Sequence, residues 1–188
     1  YWLVAEAILL GPAFAFVYTG LGIPVAYLAD RYSRKTIVAV SLALWSAMTA
    51  ASGLARTAME LAVTRVGVGI GEAGGSAPAH SMISDYFPVE RRAFAFGIFQ
   101  QGVYIGQMLG LAVGGILVEW IGWRQTFFAV GLPGIAVAVV LQWTVKDPER
   151  GRFDPKPVVP ESEAPPGIRE VFRTLWKRPS FRALMVGG

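Results

Sequence analysis

The sequence predicts an all-α membrane protein of several passes. Three observations lead there: an apolar composition, repeated apolar runs of membrane-crossing length, and basic residues confined to alternate loops. Of the 188 residues, 54% are hydrophobic and 16% charged, with a mean hydropathy of +0.48. An ordinary soluble domain is less apolar and more charged, and would have to bury nearly every segment of this chain. A spanning helix needs about 20 mostly apolar residues. The chain holds about five such runs and the start of another.

Taken in order, the first span is expected over Ala7–Leu28, interrupted by Pro12 and Pro24. Proline removes a helical hydrogen bond, which membrane helices tolerate where neighbours re-satisfy the backbone. The second runs from Thr36 to Leu54, and the short loop 55–58 sends the next helix back beside it. The third extends from Met59 to about Ser84, ahead of a polar, turn-like stretch from Asp85 to Arg92. The fourth covers Ala93–Val118 and is closed by Glu119–Arg124. The fifth covers Thr126 to about Val145, with a bend near Pro133-Gly134. From Asp147 to Gly167 proline and charge dominate, which predicts an extended linker. Ile168, Val171, Phe172, Leu175 and Trp176 then form an apolar stripe opposite Arg169, Arg173 and Lys177. Such a helix suits anionic headgroups or the ends of a helical bundle. Phe181–Gly188 reads as entry into another span, so a longer polypeptide is expected.

Charge sets the topology. One side receives Arg31, Arg34 and Lys35, then Arg91 and Arg92, then Lys146, Arg150 and Arg152; the other receives Arg56 and Arg124. Basic loops face the cytoplasm. The net charge of +4 and pI of about 9.6 follow from this and call for no nucleic-acid partner. The chain has no cysteine and one histidine, so disulfides and thiolate chemistry are excluded and neither a metal nor a cofactor is expected.

The third span carries the chemistry. Within it lies Arg65-Val-Gly-Val-Gly-Ile-Gly-Glu72, followed by Ser76. Ionisable side chains at membrane depth cost at least ~2.5–3.5 kcal/mol and usually face a bundle interior or a wet cavity. At about 3.6 residues per turn, Arg65, Glu72 and Ser76 fall on one face. An Arg–Glu pair there offers a two-state switch opened by protonating Glu72, or else a static pair that only orients helices. Gly67, Gly71, Gly74 and Gly75 permit close helix approach. The formal G-x-G-x-x-G at Gly69–Gly74 lacks the strand that a dinucleotide site needs before it. On the fourth span, Gly102, Gly106, Gly110, Gly114 and Gly115 form a groove. Gln100, Tyr104 and Gln107 share another face that is read, with Ser76, as substrate-cavity lining. At the end of the first span, Asp30 sits in a basic loop, where a carboxylate can hold an opposing element by ion pairs and then release it.

These motifs carry a family resemblance. Leu28, Ala29, Asp30, Arg31, Arg34 and Lys35 match the G-x-L-A-D-R-x-G-R-R/K loop of the major facilitator superfamily, with Ala26 and Ser33 in place of its glycines. Arg65, Gly69 and Gly71 match the R-x-x-x-G-x-G of its fourth helix. Gly106–Gly115 resembles the G-x-x-x-G-P-x-x-G-G of its fifth, with Leu111 replacing the proline associated with antiporters. The runs LADRYSRK, WSAMTAASGLAR, RVGVGIGEAG, ISDYFP and GWRQTFFAVGLPG are similar to the spinster-like branch.

The resemblance implies a twelve-helix transporter of two six-helix bundles with alternating access. Residues 1–146 would be helices two to six, 147–179 the cytoplasmic linker with its amphipathic helix, and 180–188 the start of helix seven. It further implies a monomer in the plasma (cell inner) membrane, surrounded by membrane lipids. Protons would couple through Glu72 and Arg65, and the substrate would be amphipathic and lipid-like, of the sphingolipid or lysophospholipid type. The cytoplasmic gate would comprise Asp30, Arg31, Arg34 and Lys35, with Asp85 and Arg91 facing them. An exporter of lipophilic organic molecules is the alternative. A receptor reading rests only on Asp30-Arg31-Tyr32, and an enzyme reading finds no nucleophile–base pair.

Overall fold

The computed structural model describes residues 27–154 continuously, the single positions 20, 22, 24 and 25, and residues 173–179 and 181–182. Nearly all of the expected first span, Phe14 and Phe16 with it, lies outside the described residues. So do most of the linker, the first part of the amphipathic stripe and most of Phe181–Gly188. The chain forms two compact units, Tyr1–Asp154 and Pro155–Gly188. The first unit thus runs past the expected linker start at Asp147. In the second, residues 173–176 are helical and Trp176 meets Phe181 edge-on at 6.5 Å.

In the first unit the described residues contain helices and turns and no strand. After a helical end at 27–31 come α1 (Arg34–Ser52), α2 (Ala58–Ala73), α3 (Ser76–Tyr86) and α4 (Val89–Thr144). Helices α1 and α4 are long and apolar enough to cross a membrane.

Helix α1 is the spine against which α2, α3 and α4 pack. Lipid supplies no hydrophobic drive between helices, so close packing of small residues must hold them. That is what α1 offers. A Cβ added at Gly71 of α2 would lie 2.7 Å from the Trp45 backbone nitrogen and 3.0 Å from the Ser41 carbonyl. One at Gly131 of α4 would lie 2.6 Å from the Ala50 nitrogen and 2.7 Å from the Ser46 carbonyl. Hydroxyls add polar ties: Ser52 Oγ lies 2.9 Å from Thr64 Oγ1, and Gln142 Nε2 donates to Thr36 Oγ1 at 3.3 Å.

Helix α2 begins as its sequence directs. The Thr57 side chain accepts from the Glu60 N–H at 3.2 Å, and the Glu60 carboxylate accepts from the Arg56 N–H at 2.6 Å. This is close to a capping box. The third span, expected as one helix, is two. Pro78 has no N–H for the Gly74 carbonyl, and its ring crowds that carbonyl, so the helix opens one turn earlier. Gly74 and Gly75 bridge the gap with shorter i→i+3 bonds, to Gly71 and Glu72, at 3.1 and 3.0 Å. Pro78 itself is fully buried.

Helix α4 holds the fourth and fifth expected spans, and the first of them closes within Glu119–Arg124 without a separate loop; backbone bonding continues across one non-helical residue, Gly122, with φ 78° and ψ 159°. Only glycine adopts such a φ at little cost. The chain reverses there. Arg124 reaches the Ala55 carbonyl at 3.0 Å beyond the end of α1, whereas Arg92 and Asp154 meet at 2.8 Å near the other end. Pro133 lies within the returning helix, and the backbone dihedrals around it stay helical. The outgoing part of α4 is almost wholly exposed between residues 100 and 125. Its glycine groove, Gly102 to Gly115, meets no other atom among the described residues.

Replacing Gly131 or Gly71 by alanine should destabilise the bundle by ~1–3 kcal/mol, because the added methyl meets backbone that cannot move aside. The helix-propensity gain of ~1 kcal/mol works in the opposite direction and is too small to prevent this. Thermal unfolding in detergent measures it; a midpoint at or above the wild type would show that the α1 contacts are looser than described.

Candidate functional site

Two groups of side chains stand out, one at the basic end of the bundle and one within the spans. At the basic end, Arg34 opens α1, two residues before the expected start of that span. Its residue is only 3% exposed. Such burial requires full pairing, and the pairing is present. Nη1 donates to the Asp85 carboxylate and, at 3.0 Å, to Ser81 Oγ. Nε meets Asp147 Oδ1 at 3.3 Å, the Arg34 backbone N–H donates to Asp147 Oδ2 at 2.8 Å, and Nη2 donates to the Pro148 carbonyl at 2.6 Å. Asp85 also accepts from the Gly151 N–H at 3.0 Å. The planar, five-donor guanidinium serves this geometry as no ammonium can.

Arg34 and Asp85 are thus brought together. Lys35 stands at the edge and donates to the Gln142 carbonyl at 3.3 Å. Arg31 lies over the Tyr27 ring at 4.4 Å. Asp30 and Arg91 are exposed, and their side chains make no hydrogen bond or ion pair among the described residues. Sequence reasoning put Arg150 on this side but gave no part in the cluster to it, to Asp147 or to Asp154. Asp147 shares Arg34, Arg150 donates to backbone carbonyls of the preceding helix end, and Asp154 pairs with Arg92. The available signal was an acid set directly after a span on the basic side, but proline-rich composition pointed to a linker.

Within the spans, Arg65 and Glu72 lie on α2 two turns apart, both partly buried. They are close enough to interact electrostatically, yet no hydrogen bond or ion pair joins them. The expected direct pair is absent. Instead the Arg65 guanidinium sits over the Phe127 ring of α4 at 5.0 Å, and its buried Nε has no hydrogen-bond partner among the described residues. Ser76 is the first residue of α3, so its register to Glu72 is set by the Gly74–Gly75 turn. His80, which fits no motif, joins α3 to the start of α4: Nδ1 lies 2.7 Å from the Ser76 carbonyl, and the ring stacks on Phe96 at 5.4 Å and meets Phe99 edge-on at 5.2 Å. Gln100, Tyr104 and Gln107 share a row on α4 but are exposed, and no hydrogen bond links them to Arg65 or Glu72.

Two helices of membrane-crossing length and apolarity, α1 and α4, with a buried charge cluster at one end, are the architecture a multi-pass membrane protein requires. Comparison with known proteins makes this specific. Residues 2–188 match the family model of the Major Facilitator Superfamily. The chain is 37% identical over 137 residues to an MFS-type efflux pump of Mycolicibacterium smegmatis, covering 73% of this chain and 31% of that protein. It is 31% identical over 125 residues to a probable sphingolipid transporter, spinster homolog 1, of Arabidopsis thaliana, covering 66% of this chain and 25% of that protein. The crystal structure of a bacterial homolog of the human lysosomal transporter spinster, inward-facing and unoccupied, superposes with a TM-score of 0.73 at 39% identity. That match covers 96% of this chain and 43% of the other. The chain belongs to the major facilitator superfamily, in its spinster-like branch. It spans less than a third of these curated relatives.

Arg34→Ala should cost about 3–5 kcal/mol, the usual penalty for stranding a buried partner charge. Asp85, 5% exposed, is the charge left behind. Arg34→Lys should recover only part of this, since one ammonium cannot reach both carboxylates and the Pro148 carbonyl. Chemical unfolding in detergent would measure both; equal stability of Arg34→Ala and wild type would remove the cluster as a structural element.

Proposed function

We propose that the full-length protein is a secondary active transporter with alternating access, coupled to protons through Glu72 and Arg65. The observation that carries this reading is the presence of two ionisable side chains, partly buried and unpaired at hydrogen-bond range, on one apolar helix, α2. A static structural pair would be closed and fully bonded. Here Arg65 rests on an aromatic face with a spare N–H. It can turn toward Glu72 when that side chain is ionised, or toward a substrate anion when Glu72 is protonated. Each proton then biases one arrangement over another. The fully paired Arg34–Asp85 cluster at the basic end supports a gate there, facing the cytoplasm of a monomer in the cell's inner membrane.

The substrate proposed is an amphipathic, lipid-like molecule. The likeness to the Arabidopsis sphingolipid transporter and to the spinster homolog supports this. So does the juxtaposition of His80 with Phe96 and Phe99 beside Ser76, polar and aromatic groups of the kind that line small-molecule sites. Arg65 would meet an anionic headgroup by a charge-assisted pair. The likeness to the mycobacterial efflux pump favours a second reading, export of lipophilic organic molecules by the same cycle.

In proteoliposomes, Glu72→Gln should abolish pH-driven accumulation while leaving expression and folding intact. Accumulation by the glutamine variant against a gradient would overturn the coupling assignment. Arg65→Ala should weaken binding of phosphate-bearing single-chain lipids more than that of lipophilic amines. Binding of hexoses or amino acids with indifference to every lipid would overturn the substrate class.

A further inference from the structure

The segment after the last helix does more than leave the bundle. Between Asp147 and Asp154 the chain makes a bond to each element that ends on the basic side. Asp147 and the Pro148 carbonyl hold Arg34 at the start of α1. The Gly151 N–H holds Asp85 at the end of α3. Asp154 holds Arg92 at the start of α4, and just upstream the Lys146 carbonyl accepts from the Tyr86 hydroxyl. Arg150 completes the set. One amino group of its guanidinium donates to the Ala29 carbonyl at 2.8 Å and the Tyr32 carbonyl at 2.9 Å, and the other donates to the Asp30 carbonyl.

Those carbonyls belong to the closing turn of the helix at 27–31. The last four carbonyls of a helix lack partners within it, and they gather the negative end of its dipole. A cation at this place both bonds the carbonyls and opposes that partial charge. Arg150 is the group that does so here, from more than a hundred residues away in sequence. The turn it makes requires glycine next: Gly151 has φ 66° and its carbonyl accepts from the Asp154 N–H at 3.0 Å. The consequence falls on Asp30. Its backbone is pinned by Arg150, while its carboxylate is left exposed and uncommitted among the described residues.

We propose that residues 147–154 are a clip belonging to the gate, and that Arg150 is a positioning residue that holds the Asp30 helix end so that its carboxylate faces an approaching partner. The inference rests on the alternating-access reading above. The clip would keep the Asp30 end, α1 and α3 in one register as the gate opens and closes, so that only Asp30's outward contact changes.

The test uses full-length protein in lipid, with spin labels on engineered cysteines; this stretch has no cysteine of its own. A label at Leu28, which is exposed, reads the order of the helix end. A pair of labels across the basic-side gate reads its open and closed populations. Arg150→Ala should mobilise the Leu28 label and shift the gate populations at least threefold in the direction given by Asp30→Asn, with little further change in the double variant. Arg150→Lys should behave like Arg150→Ala, because one ammonium cannot serve all these carbonyls. Gate populations unchanged in Arg150→Ala while Asp30→Asn shifts them, or full rescue by lysine, would overturn the proposal, even if the melting temperature fell. If the wild type shows one gate population at every pH and substrate concentration, the alternating-access reading fails instead. An unmoved Leu28 label in Arg150→Ala would then overturn the clip as well.

Discussion

The basic end of this bundle depends on one buried charge. Arg34 is almost without solvent, and a lone guanidinium there would be prohibitively costly. It is tolerable because Asp85 and Asp147 approach from two different elements and each guanidinium nitrogen finds an oxygen. The same requirement fixes geometry. A residue that must satisfy the end of α3, the start of α1 and the chain leaving α4 at once allows those three little relative freedom. Buried pairs add little net stability against an apolar alternative, but they penalise wrong arrangements heavily. The cluster therefore specifies register more than it strengthens the fold.

Away from that end, the bundle is held by shape. Helix α1 meets Gly67 and Gly71 on one side and Gly131 and Gly134 on another, each close enough to exclude a side chain. Among the described residues the outgoing half of α4 has no comparable contact. Arg65 and Glu72 sit on α2, whose Gly71 packs against α1, and Phe127 ties Arg65 to the returning half of α4. A group meant to change partners benefits from a backbone that does not move with it.

Much of this was legible in the residues. The second span was expected to begin at Thr36, and α1 begins at Arg34 because a paired arginine can sit inside a helix that hydropathy would exclude it from. The small residues facing α1 were visible as Gly67 and Gly71, and the structure gives them the close contact they allow. The opening at Gly74 was signalled by Pro78 four residues on, but composition alone does not separate a broken helix from a continuous one. Charge at Glu119 and Arg124 marked the close of the fourth span, and one glycine sufficed to reverse the chain. Asp147 and Arg150 were hidden for a different reason. Their partners are more than a hundred residues distant, and no local pattern reports such pairing. The absent Arg65–Glu72 bond likewise reflects side-chain choice, with an aromatic face competing for the guanidinium.

The one-residue reversal at Gly122 has a practical side. Most hairpins between spans carry a few spare residues, and these are where epitopes, reporter domains and protease sites can be inserted without harm. Here the last helical turn of one leg abuts the first of the next, with Arg124 already engaged by the Ala55 carbonyl. An insertion would have to pry the two legs apart and release that bond. The turn at 53–57 is only partly free, because a Cβ added at Gly53 would lie 2.6 Å from the Arg124 carbonyl and Arg56 and Thr57 form the cap of α2. These two described turns are therefore poor places to build a handle, because each is already committed to helix ends and caps.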